Sequence, residues 1–137
     1  MGNEIPEFYT DKISDYYKDS VILITGATGF VGKVLVEKFL RSCPQIKALY
    51  VLIRVKDDRN CETRFKEFVK EQVFDRLRRE NPSVFVKLHL ISGNLTLPFL
   101  GLSESDRQLL IQNVNFVISS AASVHLSAPL GVNAPLN

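Results

Sequence analysis

The chain has 137 residues, which is enough for about one domain with a buried core. Hydrophobic residues make up 45% of it and charged residues 23%, as in an ordinary soluble globular protein. The net charge of +2 is too small to favour nucleic acid or an acidic membrane surface as a partner, and no apolar run approaches the length of a membrane span. Two cysteines and two histidines indicate neither a disulfide framework nor a metal site, and the amino terminus lacks a secretory signal. We therefore expect an intracellular protein without a metal.

The predicted elements begin after a lead-in segment, residues 1–20, and we expect the folded domain over residues 21–137. Val21–Thr25 is a short apolar run rich in β-branched residues, which is typical of a strand buried on both faces. From Phe30 the apolar residues recur at helical spacing, with Val31 among them, until a proline at position 44 closes the pattern. A strand followed directly by a helix is therefore predicted here.

The rest of the chain continues this alternation of strands and helices. Strands connected through helices indicate parallel strands with right-handed crossovers and helices on both faces, which is a doubly wound, Rossmann-like α/β sheet. A full dinucleotide fold has about six strands, so we expect a sheet truncated after the fourth strand. The remaining predicted strands are Leu49–Ile53, Lys87–Ile91 and Phe116–Ser119. One further helix is predicted from Thr63 to about Glu80. Another is predicted to begin at Ser103, which with Asp106 resembles a capping pair.

Three glycines lie at the junction of the first strand and the first helix, in the sequence "TGATGFVG". A strand-to-helix turn aims the free amide groups and the positive dipole end of the helix at one point, which suits a pyrophosphate. In this pattern Gly26 makes the tight turn, Gly29 lets the backbone approach the phosphates, and Gly32 lets helix and strand pack closely. A purely structural turn is the alternative. The spacing resembles that of the extended short-chain dehydrogenases.

The end of the second strand indicates which nicotinamide cofactor is bound. An acidic residue there would accept hydrogen bonds from the ribose 2′-hydroxyl, but this chain has Arg54, twenty-two residues after Gly32, with Lys56 close behind. A guanidinium can bind a phosphate in a bidentate manner, so we predict NADPH rather than NADH. The alternative is that Arg54 simply ends the strand in solvent, and Asp57 or Asp58 would weaken phosphate binding if either points inward.

Two later segments are candidates for further cofactor contacts. Asn94 follows the third strand and could hydrogen-bond the adenine ring, although an ordinary turn residue would fit equally well. The run of small residues at 119–123 follows the fourth strand, where it would let the backbone lie against the ribose and nicotinamide; close helix packing is the alternative.

Several motifs occur in an order that resembles the amino-terminal part of the fatty acyl-CoA reductases, over about Ile5 to Asn137. They are "IPEFY", "TGATGFVGKVLVEKFLRSCP", "LIR" with a following lysine, "LGLSESDRQLL" and "AASV". The resemblance implies an NADPH-dependent reduction of a long-chain fatty acyl-CoA to a primary alcohol through an aldehyde. It also implies a location on the cytosolic face of the peroxisome or the endoplasmic reticulum.

The pattern and the resemblance together give a set of expected cofactor contacts. The chain departs from the family at Asn94, where many members have aspartate, and around Ser119 and His125, where members have histidine and arginine. The expected cofactor-binding residues are Thr25, Gly26, Thr28, Gly29, Phe30, Val31, Gly32, Arg54, Lys56, Asn94, Ala121 and Ala122.

No catalytic residue is assigned within this chain. Dehydrogenases of this type use a Tyr-x-x-x-Lys pair, in which the tyrosine donates a proton and the lysine lowers its pKa. The four tyrosines are each followed, four residues later, by a residue other than lysine. Two alternatives stay open: a non-catalytic dinucleotide-binding module that associates through its open sheet edge, and part of a nucleotide-sugar epimerase or dehydratase.

Overall fold

The structure is a computed structural model that describes residues 7–54, 61–94 and 96–120. Its centre is a parallel sheet in the order β3-β2-β1-β4. The strands are β1 (Val21–Thr25), β2 (Ala48–Ile53), β3 (Leu88–Ser92) and β4 (Phe116–Ser119).

Helices connect these strands and precede the first of them. The connections also contain 3-10 turns at Gln72–Phe74, Pro82–Lys87 and Pro98–Gly101. The helices are α1 (Glu7–Tyr17), α2 (Phe30–Ser42), α3 (Cys61–Val69), α4 (Asp75–Glu80) and α5 (Glu104–Asn113).

The two faces of the sheet are covered by different helices, because side chains alternate along each strand. One face carries Ile24 and Leu49 into the main core, where α2, α3 and α4 pack. The opposite face carries Leu23 and Leu52, which pack against Leu110 of α5. Every residue of β1 is buried, as predicted for a strand covered on both faces. The predicted doubly wound parallel sheet is therefore confirmed.

The strand order reverses beside β1. After β3 the chain crosses back through α5 and adds β4 to the other side of β1, with Ile24 opposite Ile118. In open α/β sheets, ligands bind in the crevice at the carboxyl ends of the strands where the order reverses. The turn that follows β1 lies at this crevice.

The long helix predicted between Thr63 and about Glu80 is wrong, because the structure divides it into α3, a 3-10 turn and α4. The backbone is extended at Glu71 (φ −62°, ψ 152°), which ends the helical path. The Arg78 side chain crosses the break and donates to the carbonyl oxygen of Val69, the last residue of α3, and to that of Glu71. Apolar residues keep helical spacing across the break, so the pattern alone did not reveal it.

Two smaller expectations also need correction. Val31 was expected on the apolar face of α2, but it is 59% exposed; the buried face is formed instead by residues that include Val36 and Leu40. The third strand begins at Leu88 rather than Lys87, because Lys87 is the last residue of a 3-10 turn.

The lead-in segment contains α1, which packs beneath the sheet. The ring of Tyr17 makes edge-to-face contacts with Phe39 of α2 and Phe116 of β4, at centroid distances of 5.0 and 5.1 Å. Such aromatic pairs stabilise beyond the area that they bury. α1 therefore packs against the carboxyl-terminal end of α2 and the first residue of β4.

Candidate functional site

The turn between β1 and α2 is built by its first two glycines. Gly26 has a positive φ of 73°, a conformation that a residue with a Cβ atom adopts only at a cost. The Gly29 N–H donates to the Gly26 carbonyl oxygen at 3.1 Å, and α2 begins at the next residue. The chain therefore changes from strand to helix within a few residues at the sheet edge.

The third glycine is required by contacts inside the chain, whereas the second is not. A Cβ atom on Gly32 would lie 2.0 Å from the Gly26 carbonyl oxygen and 2.7 Å from the Cα atom of Ala27. A Cβ atom on Gly29 would meet only that carbonyl oxygen among the described atoms, at an ordinary 3.4 Å, and its φ of −75° suits any residue. The missing side chain at Gly29 therefore fits the approach of an external group.

The amino terminus of α2 has no side-chain cap among the described residues, and its first turn has no acidic residue. By contrast, α5 is capped by Ser103, whose Oγ accepts from the Asp106 N–H at 3.1 Å. This confirms the predicted capping pair. The first amide groups of α2, together with the positive end of its dipole, are left for an anion.

The other predicted residues of the turn differ in the solvent exposure of their side chains. Phe30 is 81% exposed at the start of α2, beside the exposed Val31, and Thr28 is half-buried. Thr25 is buried, and its hydroxyl donates to the Ser119 hydroxyl of β4 at 3.0 Å. The Thr25 side chain therefore joins β1 to β4 and is already used within the fold.

Ser120 ties the end of β4 to the glycine turn. Its N–H and its hydroxyl both donate to the Thr25 carbonyl oxygen, at 3.0 and 2.7 Å, and the hydroxyl also lies 3.3 Å from the Gly26 carbonyl oxygen. Two of the expected contacts, Ala121 and Ala122, follow Ser120 but lie outside the described residues. The crevice between β1 and β4 is thus held by three hydroxyl side chains.

The end of β2 carries two guanidinium groups. Arg54 follows the last residue of β2 and is exposed, and Arg64 of α3 donates a hydrogen bond from Nη1 to the Arg54 carbonyl oxygen. Sequence reasoning missed Arg64. A parallel sheet places the start of the helix after β2 at the same edge as Arg54, and that argument could have singled it out. Lys56 lies outside the described residues.

The ends of β2 and β3 are held together beside these arginines. The Cys61 thiol, buried at the start of α3, lies 3.2 Å from the Ile53 carbonyl oxygen and 3.1 Å from the Ser92 hydroxyl. The ends of both strands are therefore joined through the first residue of α3.

Asn94 follows β3 and uses half of its side-chain amide within its own loop. Its Oδ1 accepts from the N–H and the hydroxyl of Thr96, at 2.9 and 2.6 Å. Its Nδ2 group is the part that stays available as a donor to a ligand. The side chain is half-buried at the same sheet edge as Arg54.

Two other kinds of feature, a metal site and a membrane-spanning helix, are absent from the part of the chain that the structure describes. No three His, Cys, Asp or Glu side chains there are grouped so that they could hold a metal ion. None of the described helices is long and apolar enough to cross a membrane.

Comparisons with known proteins agree with this geometry. Residues 24–137 match the model of an NAD-binding family described as "Male sterility protein". The chain is 44% identical over 125 residues to fatty acyl-CoA reductase 1 of Mus musculus and 43% identical to that of Homo sapiens. In each case the match covers 91% of this chain and 24% of the relative, so the chain spans about a quarter of these proteins.

Solved structures of reductase domains have the same fold. The terminal R domain of the myxalamid PKS-NRPS pathway is 26% identical, with a TM-score of 0.68, over 88% of this chain and 29% of that domain. The R domain of a non-ribosomal peptide synthetase from Mycobacterium tuberculosis is also 26% identical, with a TM-score of 0.62 and the same coverage. The family match, the glycine turn and the doubly wound sheet lead to one conclusion: the chain belongs to the fatty acyl-CoA reductase family and carries an NAD-binding fold.

Proposed function

We propose that this chain binds NADPH and forms the cofactor-binding part of a fatty acyl-CoA reductase. The observation that carries the proposal is the uncapped start of α2, joined by the glycine turn to β1 at the reversal of strand order. The missing side chain of Gly29 leaves room at the start of this helix, where a pyrophosphate would accept hydrogen bonds from backbone N–H groups. Within the fold, Thr25 and Ser120 join the ends of β1 and β4 beside it.

The preference for NADPH rests on the charges at the end of β2. Arg54 is exposed there, and Arg64 donates to its carbonyl oxygen, so two cationic residues lie at the end of the strand where we propose that a ribose 2′-phosphate binds. A carboxylate at position 54 would accept hydrogen bonds from a free 2′-hydroxyl and repel a phosphate, whereas a guanidinium does the opposite. We propose that Arg54 binds the phosphate and that Arg64 adds positive charge and orients the backbone of Arg54.

Thermal unfolding with each cofactor tests this assignment. NADPH should raise the Tm of the chain more than NADH at equal concentration, because the stabilisation by a ligand increases with the logarithm of its concentration divided by its Kd. Arg54→Glu should weaken NADPH binding by roughly tenfold or more and reverse the preference. Arg79→Glu makes the same charge change on exposed α4 and should leave both shifts unchanged. Equal shifts for NADPH and NADH in the parent chain would contradict the assignment.

The substrate follows from the curated relatives, which are named as fatty acyl-CoA reductases. We propose that the protein containing this chain reduces a long-chain acyl-CoA to a primary alcohol. Bound NADPH would supply the hydride, and the residues described here would bind the cofactor and hold its phosphates. The proton donor of the Tyr-x-x-x-Lys type has no counterpart in these 137 residues.

Turnover assays separate binding from catalysis. The chain should bind NADPH but should not oxidise it when palmitoyl-CoA is added, since it lacks the Tyr-x-x-x-Lys pair. A longer protein that joins this chain to a Tyr-x-x-x-Lys helix should consume NADPH with palmitoyl-CoA. If such a protein binds NADPH but fails with every acyl-CoA tested, the substrate proposal is wrong and the cofactor proposal stands.

A further inference from the structure

A groove lies on the outer side of α3, α4 and the 3-10 turn before β3. Its volume is about 470 Å³, and its lining residues are Phe65, Val69, Lys70, Arg78 and Phe85. None of these lining residues belongs to the glycine turn. Glu71, which follows Lys70, pairs with Lys33 in the first turn of α2, so the groove lies beside α2 but does not include the glycine turn.

The walls of the groove are three half-buried apolar side chains, Phe65, Val69 and Phe85. Each packs against the main core and leaves its outer surface in the groove. The ring of Phe85 is held from behind by Phe74, at a centroid distance of 5.9 Å. Small-molecule sites are concave, mostly apolar and roughly 300–1,000 Å³ in volume, with a few polar groups that orient the ligand. This groove meets that description.

The groove has two cationic side chains, Arg78 and Lys70, and only Arg78 has a partner among the described residues. Arg78 donates to the carbonyls at the end of α3 and pairs with Asp75, so its charge is already compensated. The carboxylate of Glu71, the residue after Lys70, is bound to Lys33 of α2 at 2.6 Å. Lys70 is exposed and has no partner among the described side chains, so its ammonium is available to a ligand.

We propose that this groove binds an amphipathic carboxylate of the fatty-acid class. Its alkyl chain would lie against Phe65, Val69 and Phe85, and its carboxylate would accept hydrogen bonds from the Lys70 ammonium. Apolar walls with a single uncompensated cation at the rim complement an anion with an apolar body better than a neutral or cationic one. This site does not depend on the dinucleotide-binding function proposed above.

Titration of the whole chain with decanoate, below the concentration at which it forms micelles, tests the proposal by amide NMR. We expect saturable shifts at Val69, Lys70 and Phe85. NADPH, titrated separately, should instead shift the amide signals around Gly29, so the two binding events can be told apart by which signals move. Decyltrimethylammonium has the same alkyl chain with the opposite charge and should bind much more weakly, because the uncompensated charge of Lys70 repels it.

Two variants isolate the role of the cation. Lys70→Glu should weaken decanoate binding roughly three- to tenfold, and Lys70→Gln should weaken it less. Lys66→Glu makes the same charge change within α3, four residues before Lys70 and outside the groove, so it should leave the affinity unchanged. The proposal is overturned by an absence of saturable shifts, by equal binding of decyltrimethylammonium, or by equal effects of the substitutions at 66 and 70.

Discussion

A Cβ atom placed on Gly32 would lie 2.0 Å from the carbonyl oxygen of Gly26. No side chain is small enough to avoid this contact, because the clash is with backbone and not with a side chain that could turn away. The first turn of α2 therefore rests directly on the turn that ends β1. This contact fixes where the amide groups of the helix point.

Gly32→Ala should destabilise the fold. Overpacking of a well-packed site costs about 1–3 kcal/mol, and a clash with backbone lies at the upper end of that range or beyond. The free energy of unfolding from urea denaturation would measure the loss. A stability equal to that of the parent chain would mean that α2 can shift away from β1 without cost.

Gly29→Ala should leave stability nearly unchanged and weaken NADPH binding. The added Cβ atom meets the fold at an ordinary 3.4 Å, but it occupies the side from which the phosphates would approach. We expect the Kd for NADPH to rise at least about tenfold, which corresponds to about 1.4 kcal/mol, as measured by the fluorescence of the bound cofactor. Unchanged affinity in this variant would refute the role given to the second glycine.

Arg64→Gln should reduce NADPH affinity severalfold while changing NADH affinity less. The substitution removes a positive charge beside Arg54 and the hydrogen bond to the Arg54 carbonyl. Calorimetric titration with both cofactors distinguishes a loss of phosphate binding from a general disturbance, because only the former discriminates between them. Arg76→Gln, on exposed α4, is the matched control. A parallel loss for NADH and NADPH would assign Arg64 a purely structural role.

Ser103→Ala should lower the free energy of unfolding by about 1 kcal/mol, because the Asp106 N–H loses the hydroxyl that caps α5. Ser103→Asp keeps an acceptor at this position and should restore most of the loss. Urea denaturation of the three proteins provides the comparison. If alanine and aspartate behave alike, the cap does not contribute to stability.

The Cys43 thiol should be unreactive in the folded chain near neutral pH. Burial raises its pKa above the ordinary 9.0, although the charge of Lys38 opposes this shift, so the thiol stays protonated and poorly nucleophilic. Alkylation by iodoacetamide should therefore be slow until urea unfolds the protein. Rapid alkylation of Cys43 under native conditions would show that its surroundings open readily.

The same pKa shift determines whether the contribution of Cys43 to the free energy of unfolding rises or falls with pH. Because the folded-state pKa is raised, the contribution of Cys43 to stability is complete below the unfolded value and is lost as the pH rises through the folded value. The difference in unfolding free energy between the parent chain and Cys43→Ala should thus shrink as the pH rises above the ordinary value of 9.0. A constant difference across this range would contradict it.

The sequence by itself determined the strands, the glycine turn and the cap of α5. These features depend on local preferences: β-branched runs such as Val21–Thr25 favour extended backbone, Gly26 supplies a positive φ, and Ser103 satisfies amide groups a few residues away. The order of these local signals was enough to predict the doubly wound sheet.

Only the tertiary structure decided which side chains the site can use. The break at Glu71 depends on Arg78 reaching back to α3, and the Thr25 hydroxyl is used by Ser119 of a strand 94 residues away. Arg64 enters the site because α3 returns it to the Arg54 carbonyl. Each of these contacts joins two segments that are brought together by packing. The spacing of residues within one segment does not reveal which residues of the other segment they will contact.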